Sequence, residues 1–205
     1  MKIESRADGF IAMAHLCEPG DELINKKLAS GISPNQVLDM LGSKGSPQRD
    51  HVAFTHRFER FDLGAELDFA HQIGARILTR DQEGWPTQLQ ALGIQQPWAL
   101  WAMGSIDFRV IALSSVTIVG TRACTPYGAA IAGQWAGELG AWGTHVFSGG
   151  AIGVDSCAHK GALRAGTPTV SVLASGVHAR YPSSNEYLFA QIVENGAIVS
   201  ESPPR

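Results

Sequence analysis

Residues 148–176 read SGGAIGVDSCAHKGALRAGTPTVSVLASG, and this stretch decides the fold. A glycine-rich turn leads into a segment with helical spacing over 155–165, and the run PTVSVLA over 168–174 has the composition of a buried strand. A tight loop, a helix and an apolar strand in this order are typical of a βαβ unit.

The same alternation continues on both sides of that stretch. Strands are predicted over 116–119, 144–148, 168–174 and 197–201, and helices over 127–141, 155–165 and 184–194. Continuous apolar strands separated by helices predict an α/β fold with a parallel sheet. Right-handed crossovers then bring every strand-to-helix loop to one edge of the sheet, where ligands bind in such folds.

The first part of the chain has a different character. Apolar residues occur at helical spacing over 7–16, Ser33-Pro34 starts a helix that ends before Gly42, and a further helix fits 62–72, with 43–50 as a linker. We therefore predict a small helical domain over 1–72, either a nucleic-acid or protein docking module or a packing appendage. A second domain over 75–205 begins with strands at 75–79 and 98–104 around a short helix at 85–92, and Trp85, Trp98 and Trp101 are predicted core residues rather than base-stacking ones.

Composition excludes several classes of protein. Sixteen Lys and Arg against 19 Asp and Glu give a net charge of −3, so no global basic field indicates nucleic acid. Three cysteines without a CxxC pair argue against a disulfide scaffold or a four-ligand zinc site. We see neither a secretory signal nor an apolar run of membrane-spanning length, and we expect a cytoplasmic protein.

Three predicted strand-to-helix loops carry the candidate site. They cover residues 120–128, 148–155 and 175–185, and their small residues let a ligand approach backbone N–H groups, which favour anions at helix N-termini. Arg122 is the strongest candidate, because a guanidinium binds phosphate with two hydrogen bonds, although a structural salt bridge is the alternative. Tyr127 and Tyr181 either stack on bases or brace their loops. The predicted phosphate-binding residues are Gly120, Arg122, Tyr127, Ser148, Gly149, Gly150, Gly153 and Arg180.

Common enzyme motifs are not found in the sequence. There is no GxGxxG with a ribose-binding acid, no phosphate loop of the GxxxxGK[ST] type and no GxSxG nucleophile elbow. Asp155 and His159 share one helix face and form a candidate acid/base or metal-binding pair, but a helix cap and a packed histidine are the simpler interpretation. We predict no catalytic residue, metal or cofactor.

Several motifs together resemble the DNA-processing protein A (DprA/Smf) family. They are VGTR at 119–122, TPYG at 125–128, SGGAIGVD at 148–155, AH at 158–159, GAL at 161–163, YPSSN at 181–185 and SE at 200–201. The lead-in D81-x-x-x-W85-P86-x-x-L89 fits as well, so the resemblance covers residues 75–205, and the helical part is only loosely similar.

The resemblance implies a Rossmann-like domain that binds single-stranded DNA and delivers it to the RecA recombinase in DNA uptake and natural transformation, without catalysis. It implies that Arg122, Ser148, Gly149 and Gly150 line an anion pocket. Ile152 stands where many members carry a basic residue, which removes one positive contact.

Family members continue beyond the SE strand, so we expect an incomplete sheet and a missing dimer interface. The chain would then be a natural truncation, a gene fragment or a recombinant fragment. In each case we expect it to associate through its open sheet edge. The rival interpretations are a nucleotide-binding enzyme that acts on a nucleoside phosphate through Asp155 and His159, and a non-functional remnant.

Overall fold

The computed structural model describes residues 3–18, 20–42 and 51–204, so the linker predicted over 43–50 lies outside the described residues. The α-helices are α1 (Arg6–Leu16), α2 (Glu22–Ala29), α3 (Pro34–Gly42), α4 (His51–Arg60), α5 (Leu63–Gln72), α6 (Phe108–Ala112), α7 (Pro126–Ala141), α8 (Val154–Arg164) and α9 (Glu186–Asn195). The strands are β1 (Arg76–Thr79), β2 (Ala99–Met103), β3 (Ser115–Thr117), β4 (His145–Ser148), β5 (Thr169–Val172) and β6 (Ala197–Ser200). Short 3-10 helices cover Thr87–Gln95 and Ser183–Asn185.

The chain divides into two compact units. The first unit contains residues 1–73 and 77–100, and the second contains residues 74–76 and 101–205. The division therefore passes through β1 and β2. The two domains predicted over 1–72 and 75–205 stay a prediction.

Side-chain caps start the helices of the first unit. Ser5 and Asp8 form a reciprocal capping box at α1, and the carboxylates of Asp21 and Asp62 cap α2 and α5. The predicted cap of α3 is confirmed, because the Ser33 hydroxyl accepts a hydrogen bond from the backbone N–H of Gln36 at 3.3 Å. Such caps satisfy N–H groups that have no partner inside the helix.

The core of the first unit lies between these helices. It is formed by large apolar side chains that are almost fully buried, among them Phe10, Met13, Leu38 and Phe54. Trp98 closes this core, and its indole N–H donates a hydrogen bond of 2.8 Å to the buried Asn25 side-chain oxygen. Trp85, Trp98 and Trp101 are all buried, which confirms the prediction that they are core residues.

The strands form one sheet in the order β1-β2-β6-β5-β4-β3. Strands β3, β4, β5 and β6 are parallel, as predicted, and in this register Val146 pairs with Val116 on one side and Thr169 on the other. Strand β2 is the exception, since it runs antiparallel to β6 with Trp101 opposite Ser200. The predicted α/β fold is confirmed.

Helices α7, α8 and α9 lie on one face of the sheet. Strands β3 to β6 are neighbours in chain order, so right-handed connections place α7, α8 and α9 on the same side. Helix α8 lies in the middle and packs against α7, α9, β4 and β5. Alanines of α7 and α8 (Ala136, Ala158 and Ala162) pack on Val146, and these small side chains bring the helices close to the strands.

Several predicted bounds are wrong by a few residues. Strand β3 ends at Thr117 instead of residue 119, and β5 ends at Val172 instead of residue 174, so the loops that follow these two strands begin two residues earlier than expected. The predicted helix over 184–194 is a 3-10 turn followed by α9, and the short helix predicted over 85–92 is a 3-10 helix. Apolar composition extends past the last ladder hydrogen bond, which is why the sequence overestimates these strands.

Candidate functional site

A pocket of about 360 Å³ lies at the carboxyl edge of the sheet in the second unit. Three loops meet there: the first loop (residues 118–125) follows β3, the second loop (149–153) follows β4, and the third loop (173–182) follows β5. The first loop contributes Arg122, the second contributes Gly149, Ala151 and Ile152, and the third contributes residues 173–175 with Tyr181 and Pro182. The structure therefore brings together the loops that the sequence singled out.

Arg122 supplies the charge of this pocket. It is the one ionisable cation among the described residues that line the cavity, and its side chain is exposed. Within the described part of the chain its guanidinium forms neither a hydrogen bond nor an ion pair, so the salt-bridge alternative has no support among those residues. An available guanidinium beside an apolar wall can bind one phosphate with two parallel hydrogen bonds.

The remaining pocket wall is apolar and aromatic. Tyr181 is 67% exposed and Ile152 is 46% exposed, and both line the cavity, whose inner end is formed by the buried Leu173. A planar ring of this kind offers a stacking surface for a nucleic-acid base. One guanidinium with a neighbouring exposed ring suits a ligand that carries both a phosphate and a base.

Asp155 joins the first loop to the second. This carboxylate lies in the first turn of α8, is 6% exposed, and accepts hydrogen bonds of 3.3 Å from the backbone N–H groups of Gly120 and Ala151. It therefore uses two of the N–H donors that the sequence offered to a bound anion. Neither N–H group belongs to α8, so the carboxylate occupies donors of the loops rather than the N-terminal turn of the helix.

Asn185 lies in the 3-10 helix that follows the third loop, and it joins this segment to the second loop. Its buried side-chain amide donates hydrogen bonds to the Gly150 carbonyl at 2.9 Å and to the Ser156 hydroxyl at 2.8 Å. Together, Asp155 and Asn185 hold the three loops at fixed positions around the cavity. The sequence marks both residues through the family motifs SGGAIGVD and YPSSN, and Asp155 also through its spacing from His159, but it does not indicate that they are cross-links.

Two glycines of the second loop have backbone geometry that excludes a side chain. Gly150 has a φ of 77°, and a Cβ there would come within 2.6 Å of the Phe189 ring. Gly153 has a φ of 89°, and its Cβ would collide with the backbone carbonyls of Thr121 and Arg122. The second loop therefore touches the first at Arg122, which fixes the position of that residue.

Several predicted site residues have structural partners. The Ser148 hydroxyl is buried and donates a hydrogen bond of 2.6 Å to the Ile118 carbonyl, and the Gly120 N–H donates to Asp155. Gly149 lines the cavity, and a Cβ at this position would lie 2.9 Å from the Asp155 carboxylate. Their structural roles are clear, and their contact with a ligand stays a prediction.

Two predicted residues lie outside the pocket wall. Tyr127, in the first turn of α7, is 76% exposed and is not among the residues that line the cavity. Arg180 forms an ion pair of 3.1 Å with Glu186 and contacts the Met103 sulfur, so its charge is already partly neutralised. Their role in binding also stays a prediction.

His159 is fully buried under the sheet. Its Nδ1 lies 2.8 Å from the Thr169 hydroxyl, which itself donates a hydrogen bond to the Val146 carbonyl, so Nδ1 carries the proton of the imidazole. Burial lowers the pKa of His159 to about 4. These contacts favour the packed histidine of the simpler interpretation, whereas Asp155 bonds two loop N–H groups outside α8 instead of capping that helix.

Among the described residues, none of the helices is long and apolar enough to cross a membrane. The sequence does not predict the antiparallel pairing of β2, because no local pattern reveals it. Tyr181 is a stacking candidate but not among the predicted phosphate-binding residues, and the structure places it in the cavity wall.

Several curated proteins are similar to this chain in sequence. The putative DNA processing protein DprA of Mycobacterium tuberculosis is 30% identical over 214 residues, which covers 98% of this chain and 54% of that protein. Such matches cover most of this chain, but the chain spans only about half the length of these curated relatives.

Two solved structures are similar. DprA of Streptococcus pneumoniae has a TM-score of 0.73 at 23% identity and covers 100% of this chain and 69% of that chain, which supports the fold. DprA of Helicobacter pylori, whose structure is described as showing a unique single-stranded DNA binding mode, has a TM-score of 0.53 at 29% identity and covers 62% of this chain and 55% of that chain. The sequence model of the DNA recombination-mediator protein A family matches residues 76–205. The resemblance found in the motifs is therefore confirmed, and this chain belongs to the DNA recombination-mediator protein A family.

Proposed function

We propose that this chain binds single-stranded DNA at the pocket of the second unit. Arg122 holds a backbone phosphate, and Tyr181 stacks on a neighbouring base. The observation that carries the proposal is the pairing of one available guanidinium with one exposed aromatic ring in the same cavity. A site of this composition contacts a phosphate and the flat face of a base, and both interactions give affinity without sequence preference.

Single-stranded DNA fits this pocket better than duplex. Stacking on Tyr181 requires a base that is free of its partner strand, and a duplex keeps its bases stacked inside the helix. The binding mode named for the Helicobacter pylori relative supports the same choice.

A nucleotide-binding enzyme is the weaker candidate. In dinucleotide-binding folds the pyrophosphate lies against a glycine-rich loop and the following helix N-terminus, and here the Asp155 carboxylate, which lies in the first turn of α8, already accepts the loop N–H groups of Gly120 and Ala151. His159, the only suggested base, is fully buried. The proposed role is therefore binding without catalysis, and it requires neither metal nor cofactor.

The wider role follows from family membership. We propose that the bound strand is delivered to the RecA recombinase in the cytoplasm during DNA uptake and recombination, and that the protein forms a homodimer. Family membership and the relatives named DNA processing protein support this role. A pull-down of RecA with the chain, in the presence and absence of single-stranded DNA, tests the delivery step.

Fluorescence anisotropy with a labelled thymidine oligonucleotide and a matched duplex tests the proposed binding. Tighter binding of the single strand is expected, with log affinity falling against log salt by about 0.7 per phosphate contact. Arg164→Ala is a suitable control, because Arg164 is an exposed arginine at the end of α8 and does not line the cavity. Equal affinity for duplex, or no dependence on salt, contradicts the proposal.

A further inference from the structure

The first unit contains a pair of arginines that the site described above does not use. The Arg80 guanidinium carbon lies 4.8 Å from the centroid of the Phe10 ring, and that of Arg6 lies 5.6 Å from the same centroid. Two positive groups therefore rest against one ring. Arg6 begins α1, four residues before Phe10, whereas Arg80 directly follows β1.

The ring fixes the position of these charges. Phe10 is 1% exposed and belongs to the helical core, so it cannot move to follow a guanidinium. Arg80 is anchored further by its backbone N–H, which donates a hydrogen bond of 3.2 Å to the Trp98 carbonyl. A guanidinium stacked on an aromatic face keeps its N–H donors at the rim, where a ligand can accept them.

The nearest carboxylates on the chain have other partners. Asp8 accepts hydrogen bonds from the backbone N–H groups of Ser5 and Glu4 at 2.9 and 3.2 Å, and Asp81 accepts one from the Thr79 hydroxyl at 2.6 Å. Among the described residues, the side chains of Arg6 and Arg80 form no hydrogen bond or ion pair.

The electrostatics agree with this geometry. Partial burial lowers the pKa of Arg80, the positive charge of Arg6 lowers it further, and Asp81 opposes both effects. Asp81 offsets the repulsion between the two like charges only in part, so an anion bound between the two arginines would lower their free energy.

We infer that Arg6 and Arg80 form a second anion site, which binds a backbone phosphate of single-stranded DNA on the first unit. The choice of DNA as the ligand rests on the proposed function, whereas the anion site itself rests on the two arginines and Phe10. Phosphate fits better than a base, because the Phe10 ring is covered and offers no free stacking face. The first unit thereby takes part in binding, beyond packing.

The test combines two readouts on the full chain. The first is the anisotropy of a labelled 30-nucleotide thymidine strand with the parent, with the double variant Arg6→Gln and Arg80→Gln, and with Arg60→Gln. Arg60 is an exposed arginine at the end of α4 in the same unit, and it serves as the matched control. The double variant is expected to bind roughly fivefold more weakly, and its salt slope should fall by about 0.7 for one lost phosphate contact.

The second readout is the NMR signals of the arginine Nε–Hε groups during titration with inorganic phosphate at constant ionic strength. The Arg6 and Arg80 signals should shift with phosphate and not with chloride, while Arg60 stays unchanged. This measurement needs no DNA and no change in sequence, so it does not depend on whether the variants fold.

The outcomes separate this inference from the proposed function. Unchanged Arg6 and Arg80 signals, or equal DNA affinity of the parent and a folded double variant, overturn the inference even if Arg122→Ala abolishes DNA binding. Shifted signals in a chain that does not bind DNA keep the anion site and overturn the proposed function with its DNA ligand. A response to a glutamate oligopeptide and not to the oligonucleotide overturns the assignment to phosphate.

Discussion

The first and third loops of the pocket present arginines in comparable positions, yet the two side chains differ in availability. Arg122 and Arg180 both follow a parallel strand at the carboxyl edge of the sheet. Arg122 is exposed and lines the cavity, whereas Arg180 forms an ion pair with Glu186 six residues later and does not line it. The position of an arginine in such a loop is therefore not sufficient to make it a ligand-binding residue, because a nearby carboxylate decides whether its charge is free for a ligand.

The loops also differ in how they are held. The first loop is fixed by contacts from the second: Gly153 packs on its backbone and Asp155 accepts the Gly120 N–H. The third loop is held from both sides: Asn185, in the 3-10 helix that follows it, bonds the second loop, and the Ser202 hydroxyl donates a hydrogen bond to the Ala174 carbonyl. The second loop is thus the common support of both, and damage to it should affect the site more than damage to either arginine.

The largest effect is expected from Gly153→Ala. A side chain in this left-handed conformation is strained, and its Cβ would collide with the Thr121 and Arg122 carbonyls. The strain alone costs roughly 1–3 kcal/mol and the collision adds to it, so we expect the free energy of unfolding to fall by about 3 kcal/mol or more and DNA affinity to fall as Arg122 moves. Urea unfolding and anisotropy measure both.

Gly166→Ala is the matched control for that variant. Gly166 has a φ of 70°, but a Cβ there meets nothing within 4 Å. It should lose stability through backbone strain alone and keep its affinity for DNA. If both variants lose affinity equally, the packing of Gly153 on the first loop is not what positions Arg122.

Arg122→Ala tests directly whether the available arginine binds DNA. Loss of a charge-assisted phosphate contact should weaken single-strand binding by roughly 1.5–3 kcal/mol, or about 10- to 150-fold. The melting temperature should stay the same, since no described residue bonds this guanidinium. Arg122→Lys should restore part of the affinity, because lysine keeps the charge but not the two-pronged geometry.

A melting temperature that falls while affinity is unchanged would show that Arg122 is structural. Arg180→Ala in parallel should change affinity only a few-fold, because its charge is shared with Glu186.

Acid should lower the free energy of unfolding, because the buried His159 resists protonation in the folded chain. Its folded pKa of about 4 lies below the value of about 6.5 expected in the unfolded chain, so the unfolded chain takes up the proton first as pH falls. The contribution of His159 to the free energy of unfolding is therefore complete above about pH 6.5, and it decreases by roughly 1.4 kcal/mol per pH unit down to about pH 4. Urea unfolding at pH 7 and pH 5 should show it, and His159→Gln should flatten the difference between the two.

The smallest effect is expected from Glu186→Gln. This change releases Arg180 from its ion pair and leaves a side chain of nearly the same size. Affinity for single-stranded DNA should rise by no more than about fivefold, the size of an exposed ion pair of roughly 0.2–1 kcal/mol. A decrease in affinity would mean that the ion pair places Arg180 on the DNA, and the contrast with Arg122 would then disappear.

Local patterns in the sequence were sufficient for the main elements. Alternating apolar strands and helical segments from residue 116 onward predict the parallel sheet, and Ser33, Pro34 and Gly42 predict the bounds of α3, because caps and period are properties of neighbouring residues. The position of the three loops at one edge follows as well, since the hand of βαβ connections is nearly invariant.

Only the tertiary structure decided which candidate residues are free. Ser148 and Arg180 look like ligands in the sequence, yet one hydroxyl bonds the Ile118 carbonyl and one guanidinium bonds Glu186. Arg6 and Arg80 lie 74 positions apart, and only the folded helical unit brings both onto Phe10. The physical reason is that availability depends on hydrogen-bond and ion-pair partners, and the partner of a side chain is set by distance in space rather than along the chain.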